Sequence, residues 1–508
     1  MKLNQLKAGA ALSYVSMGLG YLVSIIYTPI MLRLLGQSEY GLYNLVASVV
    51  AYLGVLNFGF GSAYIRYYSR YKVQEDKDKI ATLNGMFLVI FSIIGLAAVI
   101  AGTILAMNSE LIFGSKLTSI ELSKATILML ILVINLAISF PNIVFTSHIT
   151  ANERFVFQKL VHMVKIVINP FVVLPFLLMG YGSVGMVIAT TVINSLVEVI
   201  NAIYCIKILK MEFSFKNFDF KLMKEMTVFS SYIFIHMIID QINWNVDKFI
   251  LGRIKGTSEV AIYSLGAQFN TYLISISAVI SSVFTPRIYK IVAKNPKDKE
   301  LSKLFVKIGR IQYIFVALIL VGFLVFGEVF INLWAGKNYV NSYYVASILM
   351  ISTSGALIQN IAIEIRKAQD NHKTPAKFMI IVAVFNIIVS IPLAKAYGAI
   401  GSVIGTALAT IINRVFISVY YQKVVGLDVI LFWKEIIKMS RGLIIPIIIA
   451  WIIKLVSNYF TNVGYMLLII PFTVIYFLSM YYIGINEYEK QLFFNYKVKK
   501  ILNVKSKK

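Results

Sequence analysis

The chain alternates between long apolar stretches and short polar turns. A transmembrane helix needs about 20 mostly apolar residues to cross a hydrocarbon core of roughly 30 Å, and the apolar stretches are of that length. The pattern predicts fourteen spans, with the weakest division at residues 395–398 between the eleventh and the twelfth. The predicted spans are 8–32, 41–65, 83–107, 125–148, 158–180, 183–206, 226–248, 260–286, 307–334, 343–366, 376–397, 399–421, 442–460 and 463–485.

Composition agrees with this pattern. Of the 508 residues, 59% are hydrophobic and 14% are charged, whereas an ordinary soluble domain carries about 25% charged residues. The mean hydropathy is +0.79. We therefore expect an all-α polytopic membrane protein with about 14 transmembrane helices.

The distribution of positive charge predicts the orientation. The net charge is +25, and 37 of the 48 Lys and Arg residues fall on the side of the N-terminus and the even-numbered turns. Eight fall on the other side and three inside spans. Because cationic loops stay in the cytoplasm, both termini are expected to be cytoplasmic in the plasma (inner) membrane. The charge is then explained by topology and by attraction to anionic membrane lipids, and nucleic acid is not an expected partner.

A turn sequence occurs twice in the chain. Residues 33–45 read RLLGQSEYGLYNL and residues 253–265 read RIKGTSEVAIYSL, with six of thirteen positions identical. A second pair, YGSVGMVIAT at 181–190 and YGAIGSVIGT at 397–406, repeats at a similar offset. The alternative is a chance match of two common turn patterns. Equivalent topological places favour a duplication of six spans.

The duplication predicts the domain organisation, with two halves in the same membrane orientation and a transport path between them. The expected parts are an N-lobe at 1–210, a cytoplasmic linker at 211–225, a C-lobe at 226–423, two additional spans within 424–490 and a basic tail at 491–508.

The repeated turn has a structural interpretation. Gly36 and Gly256 are expected to end the preceding helix. Ser38 and Ser258 are expected to cap the next helix, with a glutamate in its first turn.

Span seven carries a polar face, and ionisable side chains at membrane depth usually face a cavity or a partner. His236, Asp240, Asn243 and Asp247 follow at spacings of 4, 3 and 4, which place them on one side of a helix. We expect a cavity-lining helix in which Asp240 is a proton or cation site, with His236 and Asp247 as further coupling candidates. The alternative is a polar packing seam.

A cationic face is predicted on span five. His162, Lys165 and Asn169 follow at spacings of 3 and 4, and a lysine offers a point charge to an anionic headgroup. The alternative is that Lys165 extends to the cytoplasmic surface. Glu198 and Arg414 occupy equivalent positions of the two halves. Glu198 is a coupling candidate and Arg414 an anion-binding candidate, and a direct pair between them is also considered.

Span two contains three close glycines, Gly54, Gly59 and Gly61, which are hinge candidates. Arg66 follows at the predicted cytoplasmic boundary, where it is either a substrate-binding candidate or an ordinary positive-inside charge. His148 and His372 are expected to have no special role.

Motifs of catalysis or cofactor binding are not found. The sequence contains no phosphate-binding loop ending in Lys-Ser/Thr, no HExxH and no CxxC. The single cysteine, Cys205, is expected to be an apolar filler. We therefore predict no enzyme activity, no catalytic residue, no cofactor and no metal site, and expect an ion gradient, the membrane potential or another chain as energy source.

Three motifs carry a resemblance to a known family. They are Leu-Asn-Phe-Gly-Phe-Gly-x-Ala-x-x-Arg at 56–66, the Gly-x-Ser-Glu-x-Gly-x-Tyr turn at 36–43, and Asn245-x-x-Lys248-x-x-x-Gly252. They resemble the polysaccharide flippases of the multidrug/oligosaccharidyl-lipid/polysaccharide exporter superfamily, over essentially the whole chain. Asn57 stands where that family often has Asp, so it is predicted as a polar cavity-lining residue without a charge-dependent role.

The resemblance implies translocation of polyprenyl-diphosphate-linked oligosaccharides from the cytoplasmic to the outer leaflet, by two lobes arranged as a V around a polar cavity. Lys165 and Arg414 fit such a cavity, and Asp240 fits a cycle coupled to H⁺ or Na⁺. A glycan polymerase complex is a further expected partner. The alternatives are a cation-coupled drug or metabolite antiporter, a peptidoglycan-precursor flippase and a non-transporting scaffold of a polymerase complex.

Overall fold

The computed structural model describes residues 5–216, 218–293, 298–369, 376–456 and 459–491. Within these residues every regular element is helical and no strand occurs. The helices of the first half are α1 (Gln5–Leu35), α2 (Gln37–Val73), α3 (Lys77–Met107), α4 (Ser119–Ala151), α5 (Phe155–Leu178) and α6 (Gly182–Ile208).

The second half continues with eight helices. They are α7 (Phe220–Lys255), α8 (Thr257–Val292), α9 (Asp298–Trp334), α10 (Lys337–Ala368), α11 (376–397), α12 (399–423), α13 (Val429–Leu455) and α14 (Asn462–Gly484). A short helix, Ser109–Phe113, precedes α4, and another, Glu487–Lys490, follows α14.

The number of spans agrees with the expectation of about fourteen. In the described residues, twelve helices are long and apolar enough to cross a membrane, and α7 is a thirteenth if its two segments, bent by 42°, form one span. Helices α11 and α12 follow each other directly within Ala376–Lys423, with a kink between them. Gly398 has non-helical backbone angles (φ 59°, ψ −136°) and separates the two. The chain is thus an all-α multi-pass membrane protein.

By their contacts the residues form two compact units. The first contains Met1–Ser264 and Ile387–Ser402, and the second contains Leu265–Asn386 and Val403–Lys508. In the first unit, apolar side chains of α2, α3, α4 and the start of α7 share a core around Phe87, Phe91 and Phe140. The second unit has a core around Phe305 and Phe432, whose rings stack 4.4 Å apart. The lobe boundaries derived from the repeat stay a prediction.

The repeated turns and the repeated helix starts are joined in the structure. Glu39 of the first turn accepts hydrogen bonds from the backbone N–H (2.8 Å) and the hydroxyl (2.9 Å) of Ser183, at the start of α6. Glu259 of the second turn accepts a hydrogen bond from the backbone N–H of Ala399 (2.6 Å), at the start of α12. In each copy, the repeated turn therefore contacts the repeated helix start through its glutamate.

The glycine of the second repeat fits this feature. Gly182 and Gly398 have φ of +58° and +59°, and a Cβ on either would approach the carboxylate of Glu39 or Glu259 within 2.4 Å. Glycine is needed at both positions because it adopts positive φ without strain and leaves room for the carboxylate.

The capping prediction at the first turn is partly wrong. Gly36 (φ 77°) separates α1 from α2, as expected, and Gly256 (φ 94°) separates α7 from α8. The residue at the N-cap of α2 is Gly36 itself, however, and no side chain caps it. Ser38 instead donates to Glu121 Oε1 (2.7 Å). The carboxylate of Glu121 offers this hydroxyl a charge-assisted hydrogen bond, which is stronger than one between neutral groups.

Glu121 links the two copies of the turn inside the first unit. Its Oε1 accepts hydrogen bonds from Ser38 and from Thr257 (2.8 Å), while Ser38 and Thr257 also contact each other (2.8 Å). Gly41 packs so closely here that a Cβ would lie 1.8 Å from the Thr257 carbonyl oxygen. This region, formed by the α1–α2 and α7–α8 turns with Glu121, is called the turn end below.

Helix α2 is interrupted at the predicted glycines. A 3₁₀ turn covers Gly54–Asn57, and Phe58 and Gly59 are left-handed. The Asn57 side chain closes this break, because its Oδ1 accepts from the Gly59 N–H (2.7 Å) and its Nδ2 donates to the Gly54 carbonyl (2.9 Å). The use of this break as a hinge stays a prediction.

The last two helices are attached to α9 by a buried arginine. Arg310 donates through Nε and Nη2 to Glu489 (2.6 and 2.9 Å) and through Nη1 to Glu435 (3.2 Å). The Arg310 and Glu489 side chains are 4% and 0% exposed. Such a bidentate, fully partnered pair fixes geometry strongly.

Candidate functional site

The first unit contains a polar cavity among helices of membrane-spanning length. Its volume is about 360 Å³, which is within the usual range for small-molecule sites. Helices α2, α4, α5 and α6 line it. The polar lining residues are Asn135, Ser139, Asn142, Lys165, Asn194 and Glu198.

Paired asparagines hold two walls of this cavity together. Asn194 donates through Nδ2 to Asn135 Oδ1 (3.3 Å), and Asn201 donates to Asn142 Oδ1 (3.5 Å). Both partners of the second pair lie seven residues after those of the first, so α4 and α6 meet along matching helical faces. Partly buried amides paired in this way give the cavity a defined polar wall.

The asparagine wall is the part of the site that the sequence reasoning missed. On α4 the residues Asn135, Ser139 and Asn142 are spaced 4 and 3, as are Asn194, Glu198 and Asn201 on α6. This is the same helical-face signal that singled out spans five and seven. The α4 face carries no ionisable group, and on α6 only Glu198 is ionisable, so the amides beside it give no signal of charge at membrane depth.

Lys165 and Glu198 are brought together at the cavity. Both line it, and the salt bridges within 4.0 Å among the described residues do not include this pair. Glu198 Oε2 is buried and has no hydrogen-bond partner in the described part of the chain. The cavity lining therefore contains one positive and one negative group, and one oxygen of the negative group has no hydrogen-bond partner in the described part of the chain.

The other two residues of the predicted cationic face lie apart from the cavity lining. His162 contacts the Ser16 hydroxyl through Nδ1 (2.9 Å) and joins α5 to α1. Asn169 Oδ1 is buried and has no partner among the described residues.

The polar face of α7 divides into two environments. Asp240 is exposed, and His236 and Asn243 are half-buried. Asp247 is fully buried, accepting hydrogen bonds from Tyr263 (2.7 Å) and Ser402 (2.6 Å). Asp247 thus connects α7 with the starts of α8 and α12 inside the first unit, and the exposed carboxylate of Asp240 is the more available of the two.

Arg414 lies in the second unit, where its guanidinium is 5.8 Å from the centre of the Tyr421 ring. Its Nε and Nη2 atoms are buried and have no hydrogen-bond partner among the described residues. A buried cation with open donors is costly unless an acceptor or an anion reaches it.

Other predicted residues have simpler surroundings. Arg66 is exposed on α2, and Gly61 packs against Ile143 and Ser147 of α4. Cys205 is fully buried, as expected of an apolar filler. His148 is also buried, where its Nδ1 contacts the Tyr64 hydroxyl (2.8 Å), and His372 is outside the described residues.

Chemically, the cavity can hydrogen-bond a polar ligand and balance one charge of either sign. No group of three or more His, Cys, Asp or Glu in the described ranges could hold a metal ion. The polar groups at this depth would be expensive if they faced acyl chains, so the arrangement suits a hydrophilic ligand inside the membrane.

Known proteins are similar to most of this chain. It is 22% identical over 411 residues to a protein of Shigella flexneri named for O-antigen transport, which covers 79% of this chain and 94% of the relative. It is 21% identical over 447 residues to the uncharacterized membrane protein EpsK of Bacillus subtilis, covering 85% of each.

Solved structures show the same fold. The lipid II flippase MurJ in an inward closed conformation matches with a TM-score of 0.75 and 20% identity, covering 93% of this chain and 97% of that one. The multidrug transporter DinF-BH of the MATE group matches with a TM-score of 0.60 and 16% identity, covering 82% and 95%.

The family model described as "Polysaccharide biosynthesis protein" matches residues 6–292, which is more than half of the chain. This match confirms the resemblance given by the motifs at 36–43, 56–66 and 245–252, all of which fall inside it. The chain therefore belongs to the polysaccharide biosynthesis protein family.

Proposed function

We propose that this chain is a flippase that moves polyprenyl-diphosphate-linked oligosaccharides from the cytoplasmic to the outer leaflet by alternating access, for cell-surface polysaccharide synthesis. Family membership and the names of the relatives support this. The observation that carries it is the cavity of about 360 Å³, which six polar side chains on helices of membrane-spanning length line.

The physical problem of such transport is the headgroup. Sugar hydroxyls and a diphosphate are strongly hydrated, and transferring them through hydrocarbon without partners is prohibitively costly. The isoprenoid tail can stay in lipid. A cavity with amide, hydroxyl, ammonium and carboxylate groups supplies the partners that hydrocarbon lacks.

We further propose the plasma membrane as the location, with both termini cytoplasmic. The excess of Lys and Arg on the side of the termini supports this orientation. A glycan polymerase complex is the proposed partner on the outer side.

Ion coupling is proposed at the ionisable groups that have unused capacity. Asp240 is exposed one helical turn after His236, and Glu198 Oε2 has no partner among the described residues. Either carboxylate could take a proton or Na⁺ during the cycle, whereas Asp247 already accepts two hydrogen bonds.

The test is complementation of a strain whose own copy of the gene is deleted. Lys165→Ala, Glu198→Gln, Asp240→Asn and Arg414→Ala are expressed at equal membrane levels, and surface glycan is measured. Lys367→Ala is the matched control, because Lys367 is exposed and pairs locally with Glu364 (2.9 Å).

We expect surface glycan to fall about tenfold, which corresponds to about 1.4 kcal/mol, for Lys165→Ala and to stay at the wild-type level for Lys367→Ala. Full glycan with all four variants would contradict the flippase and support the scaffold. Loss of drug resistance with glycan intact would support the antiporter.

A further inference from the structure

We propose that residues 210–216, called the linker segment below, form with α3 a binding site for an anionic phospholipid of the membrane. An acyl chain would lie in an apolar groove between Phe215 and the outer face of α3, and the lipid phosphate would meet Lys216. This inference goes beyond the proposed function, because it concerns a lipid that stays in the membrane and does not depend on which headgroup is moved.

The linker segment is fixed to the start of α3, although it has no regular secondary structure. The Ser214 N–H donates to the Ala81 carbonyl (2.9 Å), and Asn84 Nδ2 donates to the Glu212 carbonyl (2.8 Å). At Gly85 the two chains are so close that a Cβ would lie 2.1 Å from the Ser214 carbonyl oxygen. The segment therefore has a defined position on α3, and so does the side chain that follows Ser214.

The two phenylalanines of the linker segment have different surroundings. The Phe213 ring makes a T-shaped contact with Phe145 of α4, with 6.3 Å between the ring centres. The Phe215 side chain is 57% exposed, and its Cδ1 would lie 3.4 Å from a Cβ on Gly85 of α3. Lysines combined with Phe, Trp or Leu are typical of segments that lie at a membrane surface. We therefore infer that Phe215 faces lipid.

Phe215 forms one end of an open groove along α3. The groove has a volume of about 410 Å³, and its lining residues are Leu88, Val89, Ser92, Ile93, Leu96 and Phe215. From Leu88 to Leu96 the helix rises about 12 Å at 1.5 Å per residue. The only polar side chain of this lining, Ser92, already donates to the Leu88 carbonyl (2.7 Å). The groove is thus long and apolar, as an acyl chain requires.

The charge beside the groove favours an anionic headgroup. Lys216 follows Phe215 directly and is exposed, and the salt bridges within 4.0 Å among the described residues do not include it. Residues 207–216 contain three lysines and one glutamate, which leaves a formal charge of +2. A lysine binds phosphate as a point charge, and one lysine at a membrane surface enriches an anionic lipid about fivefold.

Two other occupants of the groove are considered. An unselective boundary lipid would cover the same apolar surface but would gain nothing from Lys216. The polyprenyl tail of the transported lipid would be expected near the polar cavity that holds its headgroup. The groove and that cavity share no lining residue, which argues against the polyprenyl tail.

The test uses a tryptophan as a reporter of lipid contact. The full-length protein carrying Phe215→Trp is reconstituted in nanodiscs of phosphatidylcholine with a minor fraction of phosphatidylglycerol. Brominated acyl chains quench tryptophan fluorescence on contact. The bromine is carried by the phosphatidylglycerol in one sample and by the same mole fraction of phosphatidylcholine in the other. The unsubstituted chain, which contains four tryptophans, gives the background to subtract.

We expect phosphatidylglycerol to be about fivefold enriched over phosphatidylcholine at the reporter, and Lys216→Gln should remove this difference. Phe171→Trp is the matched control. Phe171 is 72% exposed on α5, and no charged residue lies within four positions of it in the sequence. The two brominated lipids should therefore quench a tryptophan at this position equally.

A second measurement needs no reporter. A ligand that binds the native state stabilises it, so phosphatidylglycerol should raise the melting temperature of the unsubstituted chain in detergent more than phosphatidylcholine does. Lys216→Gln should reduce this advantage. Lys367→Gln is the control, because Lys367 is an exposed lysine that pairs locally with Glu364 (2.9 Å), and it should keep the advantage.

Three results would overturn the proposal. Equal quenching by the two lipids at position 215 would show an unselective boundary lipid, and no quenching by either would place the linker segment outside the membrane. Displacement of the brominated phosphatidylglycerol by a smaller amount of polyprenyl phosphate would assign the groove to the transported lipid. If the reporter chain does not fold, the melting temperatures decide, and an undiminished advantage with Lys216→Gln would equally contradict the site.

Discussion

The turn end and the middle of the helices use charged residues in opposite ways. At the turn end, Glu39 and Glu259 occupy equivalent repeat positions and cap equivalent helix starts, at Ser183 and Ala399. In the middle of the helices, Glu198 and Arg414 also occupy equivalent positions. They carry opposite charges, and each has buried atoms without a partner among the described residues.

The difference shows what the two repeated segments share and where they differ. Contacts that fix helix ends have the same geometry in both copies, because a lost cap exposes a backbone N–H in each. The polar chemistry within the membrane differs between the copies. Partnered charges therefore mark the scaffold, and charges with open atoms mark candidate functional positions.

The largest effect is expected at a buried charge that is fully partnered. Arg310→Met leaves Glu489, whose side chain is 0% exposed, as an uncompensated buried charge, and breaking such a pair costs about 3–5 kcal/mol. We expect most of the protein to be lost from the folded, monodisperse fraction, measured by fluorescence-detected size exclusion after heating.

Replacing both partners provides the control for that experiment. Arg310→Met with Glu489→Gln removes both formal charges and should recover part of the lost stability. If the single substitution were as stable as the wild type, the distinction between partnered and unpartnered charges would lose its energetic basis.

The second-largest effect is expected at the close contact of Gly41. Its repeat equivalent is Ala261, yet a Cβ on Gly41 would lie 1.8 Å from the Thr257 carbonyl oxygen. Gly41→Ala forces the two turns apart, and overpacking of this kind costs about 1–3 kcal/mol. We expect a lower melting temperature in detergent.

Gly18→Ala is the matched substitution for Gly41→Ala. Gly18 lies within α1 and has no heavy atom within 4 Å of an added Cβ, so the change should be neutral or stabilise by about 0.5–1 kcal/mol. Equal melting temperatures for the two variants would show that the turn end is not closely packed.

The two caps should have similar, moderate effects. Glu39→Ala and Glu259→Ala each remove a carboxylate from a helix start, and the loss of a capping side chain typically costs about 1 kcal/mol. Chemical denaturation monitored by circular dichroism checks this. Because Glu39 also pairs with Lys124 (3.2 Å), its substitution should be slightly more costly. A much larger loss of stability for Glu259→Ala than for Glu39→Ala would contradict the proposed equivalence of the two repeats.

The fold was accessible from the sequence because apolar length is a strong local signal. All-α architecture, about fourteen spans and the duplicated turn follow from runs of apolar residues and from two short matches. What could not be predicted is which of two partners a side chain takes. Ser38 was expected to cap its own helix, but it donates to Glu121, which comes 83 residues later in the chain.

Only part of the candidate site could be predicted from the sequence, for the same reason. The sequence indicates Lys165 and Glu198 because an ionisable group at membrane depth is exceptional. The amides Asn135 and Asn142 give no such signal alone, since their meaning depends on the pairing of α4 with α6. Asn57 is the opposite case. Its polar side chain suggests a cavity-lining role in the sequence, but both of its hydrogen bonds go to the backbone of its own turn.

The smallest effect on stability is expected at Arg414. Its Nε and Nη2 have no partner among the described residues, so Arg414→Met removes a desolvated cation and loses a side-chain hydrogen bond to Tyr421 and the contact with that ring, whose centre is 5.8 Å away. Exchange of a buried charged group for an apolar one is often neutral or stabilising. We expect an unchanged or raised melting temperature together with reduced surface glycan. Stability and function would then separate at this position, whereas at Arg310 they are lost together. A marked fall in melting temperature would place Arg414 with the scaffold, and the opposite charges at the two equivalent positions would need another explanation.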